Sequence, residues 1–291
     1  MRQLLKSLIA SPFYFAKSSG TLLMISAIIL MVLALWVHPF FLFFTLVPLL
    51  FYILSERTPL NSLKESIPAM LPLAIIFLIW SLLLIKSFGL PWAAFPTNFI
   101  GMTAVAYLTH ISWRIGKNTS GYFGFIFYWL AFEYLMHSYL PQFAQPPIGE
   151  LLAIDSQFVG WYVETGVMGG TFWLLIANLL GFKFLQGFLS ATYEKRKKLY
   201  GILFLLIIVV PIGIAYLYFA ESGVDYLIAD GKDFGQVFIP SEWKGKPSKY
   251  SEIGEFIGLI GAWMALFLAA SILVREKTRI KSHGKRPKKN T

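Results

Sequence analysis

In "WLAFEYLMHSYL" (129–140), Glu133 and His137 stand four residues apart inside a run that is otherwise apolar and aromatic. That spacing puts a carboxylate and an imidazole on one face of a helix. An ionisable side chain inside a membrane span costs a few kcal/mol unless it is paired or hydrated, so each one raises a functional question. Together the two could work as a general base for a hydroxyl or amine acceptor. Two further acids sit where apolar runs begin, Glu164 in "WYVETGVMGGTFWLLIANLL" (161–180) and Glu255 in "YSEIGEFIGLIG" (250–261). Trp161 and Tyr250 flank them, and Asn178 falls deep in the first of these runs. The chain has no cysteine, which excludes a thiol nucleophile, a disulfide and a thiolate metal site within it. His38, His110, His137 and His283 have no ligand-like spacing, so neither a metal site nor a cofactor is expected.

The elements that must position these groups are membrane helices. The chain is 57% hydrophobic and 14% charged, and its apolar residues come in blocks near the roughly 20 residues needed to cross a bilayer. A transmembrane barrel would show short alternating segments instead. The fold class is therefore an all-α polytopic membrane protein. Eight spans are predicted, at 20–36, 38–54, 67–87, 92–111, 121–139, 165–188, 199–219 and 254–274. The first is read as a retained helix, because "WVHPFF" leads straight into another apolar stretch and no small-residue cleavage site follows.

Lysines and arginines cluster at 2–17, 57–64, 114–117 and 195–198, and in the tail "REKTRIKSHGKRPKK", which holds eight basic residues against one Glu. Segment 140–157 has no basic residue, and 221–253 has six acids against four lysines. By the positive-inside rule both termini are cytoplasmic, and 221–253 is periplasmic in a bacterial inner membrane. His110 and Arg114 then lie at the inner end of the fourth span, as a snorkelling pair that sets topology.

This orientation brings Glu133, His137, Glu164 and Glu255 into the outer half of the bundle. One reading is a polar pocket for a lipid headgroup or a polar acyl acceptor, with Trp161, Asn178 and Tyr250 near it. The other is a packing pair beside first-turn acids favoured by the helix dipole. Gly166, Gly169 and Gly170, and the pair Gly254 and Gly258, are expected to let helix backbones approach closely. Asn178 needs an interhelical partner.

The chain divides into a bundle of seven helices (1–220), an outside loop (221–253), an eighth helix (254–274) and a basic tail (275–291). The loop reads as a small hairpin, with Asp-Gly and Phe-Gly turns between apolar runs, and is too short to bury a core of its own. The tail is expected to be a disordered arm lying on anionic headgroups, with no nucleic-acid partner.

Four stretches together resemble apolipoprotein N-acyltransferases. "WVHPFFLFFTLVPLL" (36–50) is similar to that family's first hairpin, and "FYWLAFEYL" (127–135) to its W-x-x-x-E-x-L on the fifth helix. "WYVETGVMGGTFW" (161–173) resembles the W-Y-E-x-T-G-x-x-G-G-T-x-W leading into the sixth helix, with Val163 at the family's glutamate position and Glu164 next to it. "YSEIGEFIG" (250–258) resembles the Y-x-x-x-G-D-x-I-G before the last helix. The resemblance implies eight helices and a nitrilase-like domain between the seventh and eighth, carrying a Glu–Lys–Cys triad that moves an acyl chain from phospholipid to a lipoprotein. Here that domain is reduced to 221–253 and the cysteine is missing.

Three functions follow. The first is a non-catalytic relative that binds membrane lipid or lipoprotein, or serves as a subunit of a membrane complex. The second is a split enzyme whose nitrilase-like chain is separate. The third is an embedded acyltransferase using Glu133 and His137.

Overall fold

The computed structural model describes residues 15–54, 63–116, 119–152, 159, 161–189, 196–222 and 252–284. Among these the chain is entirely helical. The α-helices are α1 (Phe15–Trp36), α2 (Leu42–Thr45), α3 (Val47–Ile53), α4 (Leu63–Phe88), α5 (Ala94–Ile115), α6 (Thr119–Tyr139), α7 (Ile148–Leu152), α8 (Tyr162–Leu189), α9 (Lys197–Ser222) and α10 (Glu252–Gly284), with single 3₁₀ turns at Pro39–Phe41 and Pro141–Phe143. Four helices are long and apolar enough to cross a membrane: Leu71–Phe88 in α4, Thr165–Phe188 in α8, Lys197–Leu217 in α9 and Glu252–Arg275 in α10. α5 and α6 have the length of a spanning helix, but polar and aromatic residues dilute them below that hydropathy.

The bundle has two distinguishable ends. α5 packs along α6 and α8 along α9, each pair joined by a connection of only a few residues. Tyr122 of α6 meets Lys183 of α8, so both connections lie at one end. On α10, Gly258 abuts Tyr134 and Gly261 abuts Leu130, so α10 descends against α6 and brings Arg275 to that same end. Basic residues thus gather there, and the turn at 89–93, the segment 140–152 and the start of α8 form the opposite end.

α8 is the central strut, packing against α2, α3, α6, α7, α9 and α10. Its candidate span is 72% buried, against 22% for α9 and 28% for α10, whose remaining apolar surface suits lipid. Large side chains fill the interior around it: Phe43 lies against Trp173 at 4.8 Å and Phe51 against Phe182 at 4.7 Å between ring centres.

The predicted span 38–54 is not one helix. Pro48 lacks the N–H that would bond the Phe44 carbonyl, and its ring crowds that turn, so the segment breaks into a 3₁₀ turn, α2 and α3. Asn178 is spliced into the gap. Its Oδ1 accepts from Leu46 N–H (2.9 Å), and its Nδ2 donates to the Leu42 carbonyl (2.8 Å) and to the Leu174 carbonyl (2.9 Å). In an unbroken helix Leu46 N–H would bond Leu42 directly. The interhelical partner that Asn178 required is thus a broken backbone turn. A second break is handled the same way: Pro211 inside α9 leaves the Ile207 carbonyl without its usual donor, and the Trp173 indole N–H of α8 supplies one.

One further expectation changes. α10 does not end near 274 but continues as helix to Gly284, so the first part of the basic tail is helical rather than a loose arm. The hairpin expected in 221–253 falls almost wholly outside the described residues, as does Tyr250.

Replacing Asn178 with Leu should strand both the Leu46 N–H and the Leu42 carbonyl in an apolar interior. At about 1–3 kcal/mol for each unsatisfied buried group, the expected loss is about 2–6 kcal/mol. Thermal unfolding followed by tryptophan fluorescence in mild detergent would register it, and an unchanged midpoint would contradict the splice.

Candidate functional site

Between α6 and α8 the chain does not stay at the surface. Residues 144–152 are all buried, which obliges every backbone N–H and C=O in them to find a partner inside the bundle. Gln145-Pro146-Pro147 eases the problem, because two of its three residues have no N–H at all.

Three helices supply the rest. From α5, Thr97 Oγ1 donates to the Phe143 carbonyl (3.1 Å), Asn98 Oδ1 accepts from Gln145 N–H (3.2 Å), and Met102 Sδ accepts from the Gln145 side-chain amide (3.4 Å). From α6, His137 Nε2 donates to the Gln145 carbonyl (2.8 Å), and Glu133 Oε1 accepts from Ile148 N–H (3.0 Å). From α8, Thr171 Oγ1 accepts from Gly149 N–H (3.1 Å) and Tyr162 donates its hydroxyl to the Gly149 carbonyl (3.0 Å).

Glu133 is the hub. It is 1% exposed, and besides Ile148 it takes the Trp129 indole N–H on Oε1 (2.8 Å) and the Thr171 hydroxyl on Oε2 (2.7 Å). Three donors converge on one carboxylate, which is how a buried acid becomes tolerable. Glu150, 7% exposed on α7, is close enough for its charge to act on Glu133.

The glycines of α8 make room for this. Gly166 adopts φ 62°, ψ −176°, a backbone region essentially restricted to glycine, and kinks the helix there. The turn before the kink swings Tyr162 over Gly170, where a Cβ would stand 1.7 Å from the tyrosine oxygen. Gly149 lies so close to α8 that its own Cβ would meet Val167 O at 2.3 Å and Thr171 N at 2.4 Å. A Cβ on Gly169 would strike Thr165. So Gly166, Gly169 and Gly170 shape a kink and a seat for α7 rather than a helix–helix seam, whereas Gly258 does bring α10 against α6.

The residues singled out in the sequence therefore divide. Glu133 and His137 share a face, but each grips a different point of the 144–152 segment. Trp161 packs edge-on against Tyr162 and Trp173, with its indole N–H buried and unpartnered among the described residues. Glu255 is exposed on α10, away from the buried cluster. Glu164 lies in the first turn of α8, and its side chain is outside the description. Asn178 serves the α2–α3 break, not this cluster.

His110 corrects an expectation. It is 0% exposed and does not snorkel: its ring turns inward, Nδ1 donating to the Ile53 carbonyl at the end of α3 (2.6 Å), while Nε2 is buried without a partner among the described residues.

Thr97, Asn98, Gln145, Tyr162 and Thr171 escaped the sequence reading because uncharged polar residues are common in membrane helices. Lys183, 9% exposed inside α8, carried the same signal as Glu133 and was equally readable.

Chemically, the cluster's donors and acceptors, the Thr171 and Tyr162 hydroxyls among them, are hydrogen-bonded to one another and to the chain's own backbone. No group of described acids, histidines or cysteines could hold a metal ion. No protein-family model, curated protein or solved structure matches the chain.

Glu133→Ala should be severely destabilising, because it leaves the Trp129, Ile148 and Thr171 donors unsatisfied; Glu133→Gln, which keeps an acceptor on one side, should lose less. Gly166→Ala should cost about 1–3 kcal/mol for its backbone conformation. Gly213→Ala, where a Cβ meets nothing within 4 Å, should cost nothing or gain up to about 1 kcal/mol. Unfolding midpoints of the four variants provide the comparison.

Proposed function

We propose that this chain is a non-catalytic, apolipoprotein N-acyltransferase-like protein of the bacterial inner membrane, which binds membrane lipid or lipoprotein or serves as a subunit of a membrane complex. The observation that carries this reading is the state of Glu133. This buried acid has both oxygens engaged by the chain's own indole, amide and hydroxyl groups. A general base must present a lone pair to the proton it removes, and here a carboxylate that is 1% exposed, with about four acceptor positions, has three of them taken by the chain's own donors.

Two further facts support it. The chain has no cysteine to carry an acyl thioester. Two of the stretches that resemble the acyltransferases meet at this cluster: "FYWLAFEYL" supplies Trp129 and Glu133, and "WYVETGVMGGTFW" supplies Tyr162, the glycines and Thr171. What the chain keeps of that resemblance is architecture.

In this reading α1, the broken segment 39–53, α5 and α6 cross the bilayer beside the four longest apolar helices. The basic end faces the cytoplasm, and 221–253 faces the periplasm. The arrangement of ends supports it, since Arg114, Arg196 and Arg275 lie together while the turn at 89–93 is opposite.

Incubated with phospholipid and a diacylated lipopeptide, the purified chain should yield no N-acyl product by mass spectrometry; turnover abolished by His137→Ala would establish an embedded catalyst instead. Because no native cysteine interferes, topology is directly readable. Trp92→Cys, at an exposed position in the outer turn, should react with an impermeant maleimide in intact cells, and Arg196→Cys should not.

A further inference from the structure

A side-chain carboxamide carries an acceptor oxygen and an NH2 donor, and burying it in an apolar bundle is costly unless both are used. Asn178 and Gln145 differ in this respect. The carboxamide of Asn178 is engaged on both sides, Oδ1 by Leu46 N–H and Nδ2 by the Leu42 and Leu174 carbonyls. That of Gln145, 2% exposed, is engaged on one side only. Its Nε2 donates to Met102 Sδ at 3.4 Å, a weak acceptor, and its Oε1 is buried without a partner among the described residues.

Gln145 is held in this position by its backbone. Asn98 Oδ1 accepts from its N–H (3.2 Å), His137 Nε2 donates to its carbonyl (2.8 Å), and Pro146 follows directly. Turning the carboxamide over would only exchange the orphan, setting an NH2 group where the oxygen stands. Asn98 and Met102 lie one turn apart on one face of α5, and both are bonded to Gln145. Asn98, also 2% exposed, spends its Oδ1 on the Gln145 N–H, and no bond of its NH2 group is seen among the described residues.

Two touching residues thus offer an acceptor and a donor that the chain itself does not use. Their occupant must donate to one and accept from the other, which an alkyl chain or a simple ion cannot do. It must also be small, because Asn98, Met102 and Gln145 are 2%, 0% and 2% exposed. Water meets both conditions, and buried waters bond polar groups that the protein leaves unpaired.

We infer that Asn98, Met102 and Gln145 form a binding site for one internal water molecule, which donates to Gln145 Oε1 and accepts from Asn98 Nδ2. The water adds a hydrogen bond to the folded-in segment that no helix supplies. This inference does not rest on the function proposed above.

The test exposes the full chain in mild detergent to hydroxyl radicals made by a pulsed X-ray beam, and reads methionine oxidation by peptide mass spectrometry. Such radicals form on water and react at contact distance, so a buried methionine is oxidised quickly only beside a bound water. Met102 and Met31 are equally shielded, at 0% and 1% exposed, but Met31 belongs to an apolar stretch of α1. Met102 should form sulfoxide several-fold faster than Met31. Gln145→Met keeps the length of the side chain and removes the acceptor, so it should bring Met102 down to the rate of Met31 and lower the unfolding midpoint. Equal rates in the parent would overturn the inference, and this comparison decides even where the variant does not fold. An unchanged Met102 rate in a folded Gln145→Met would overturn it too. So would a raised midpoint, the sign expected for removing an acceptor that had nothing bound to it.

Discussion

A peptide group placed in an apolar bundle must find its hydrogen bonds within the protein, and this constraint organises the whole molecule. Regular helices meet it internally. Among the described residues, three of the places that do not are the break at 42–46, the Pro211 turn of α9 and the segment 143–149. Each is rescued by side chains from a neighbour, and α8 takes part every time, with Asn178 at the first, Trp173 at the second, and Thr171 and Tyr162 at the third. The most buried helix is thus also the one that keeps the irregular backbone satisfied. Its polar side chains are the struts that let two irregular stretches and one proline-interrupted helical turn exist in a low-dielectric interior.

The same constraint explains what the carboxylate at the hub does. A buried Glu is costly in isolation and useful when donors surround it. Glu133 receives an indole, a main-chain amide and a hydroxyl, while His137 four residues on is spent on the Gln145 carbonyl. The pair that looked like a base and its partner is a two-point clamp on a folded-in segment.

Much of the helical plan was legible. Apolar runs located α1, α4, α5, α6, α8, α9 and α10 to within a few residues at most ends, because length and hydropathy act locally. What was not legible depended on tertiary contact. The span 38–54 read as one helix, since only Asn178, more than a hundred residues away, reveals how its break is stabilised. The burial of 144–152 left no apolar run long enough to notice, and its meaning lies in Asn98, Gln145, Tyr162 and Thr171, none of them charged. Conversely, the ionisable signal was over-read at Glu255, which is exposed, and under-read at Lys183 and His110, which are buried.

The close seat of the last helix against the sixth has a bearing on how the molecule is made. Gly258 and Gly261 admit Tyr134 and Leu130 across an interface that no earlier helix can fill in the same way. Chain order therefore leaves this flank of α6 without its partner until the stretch bearing Gly258 and Gly261 has been made, more than a hundred residues after α6 itself.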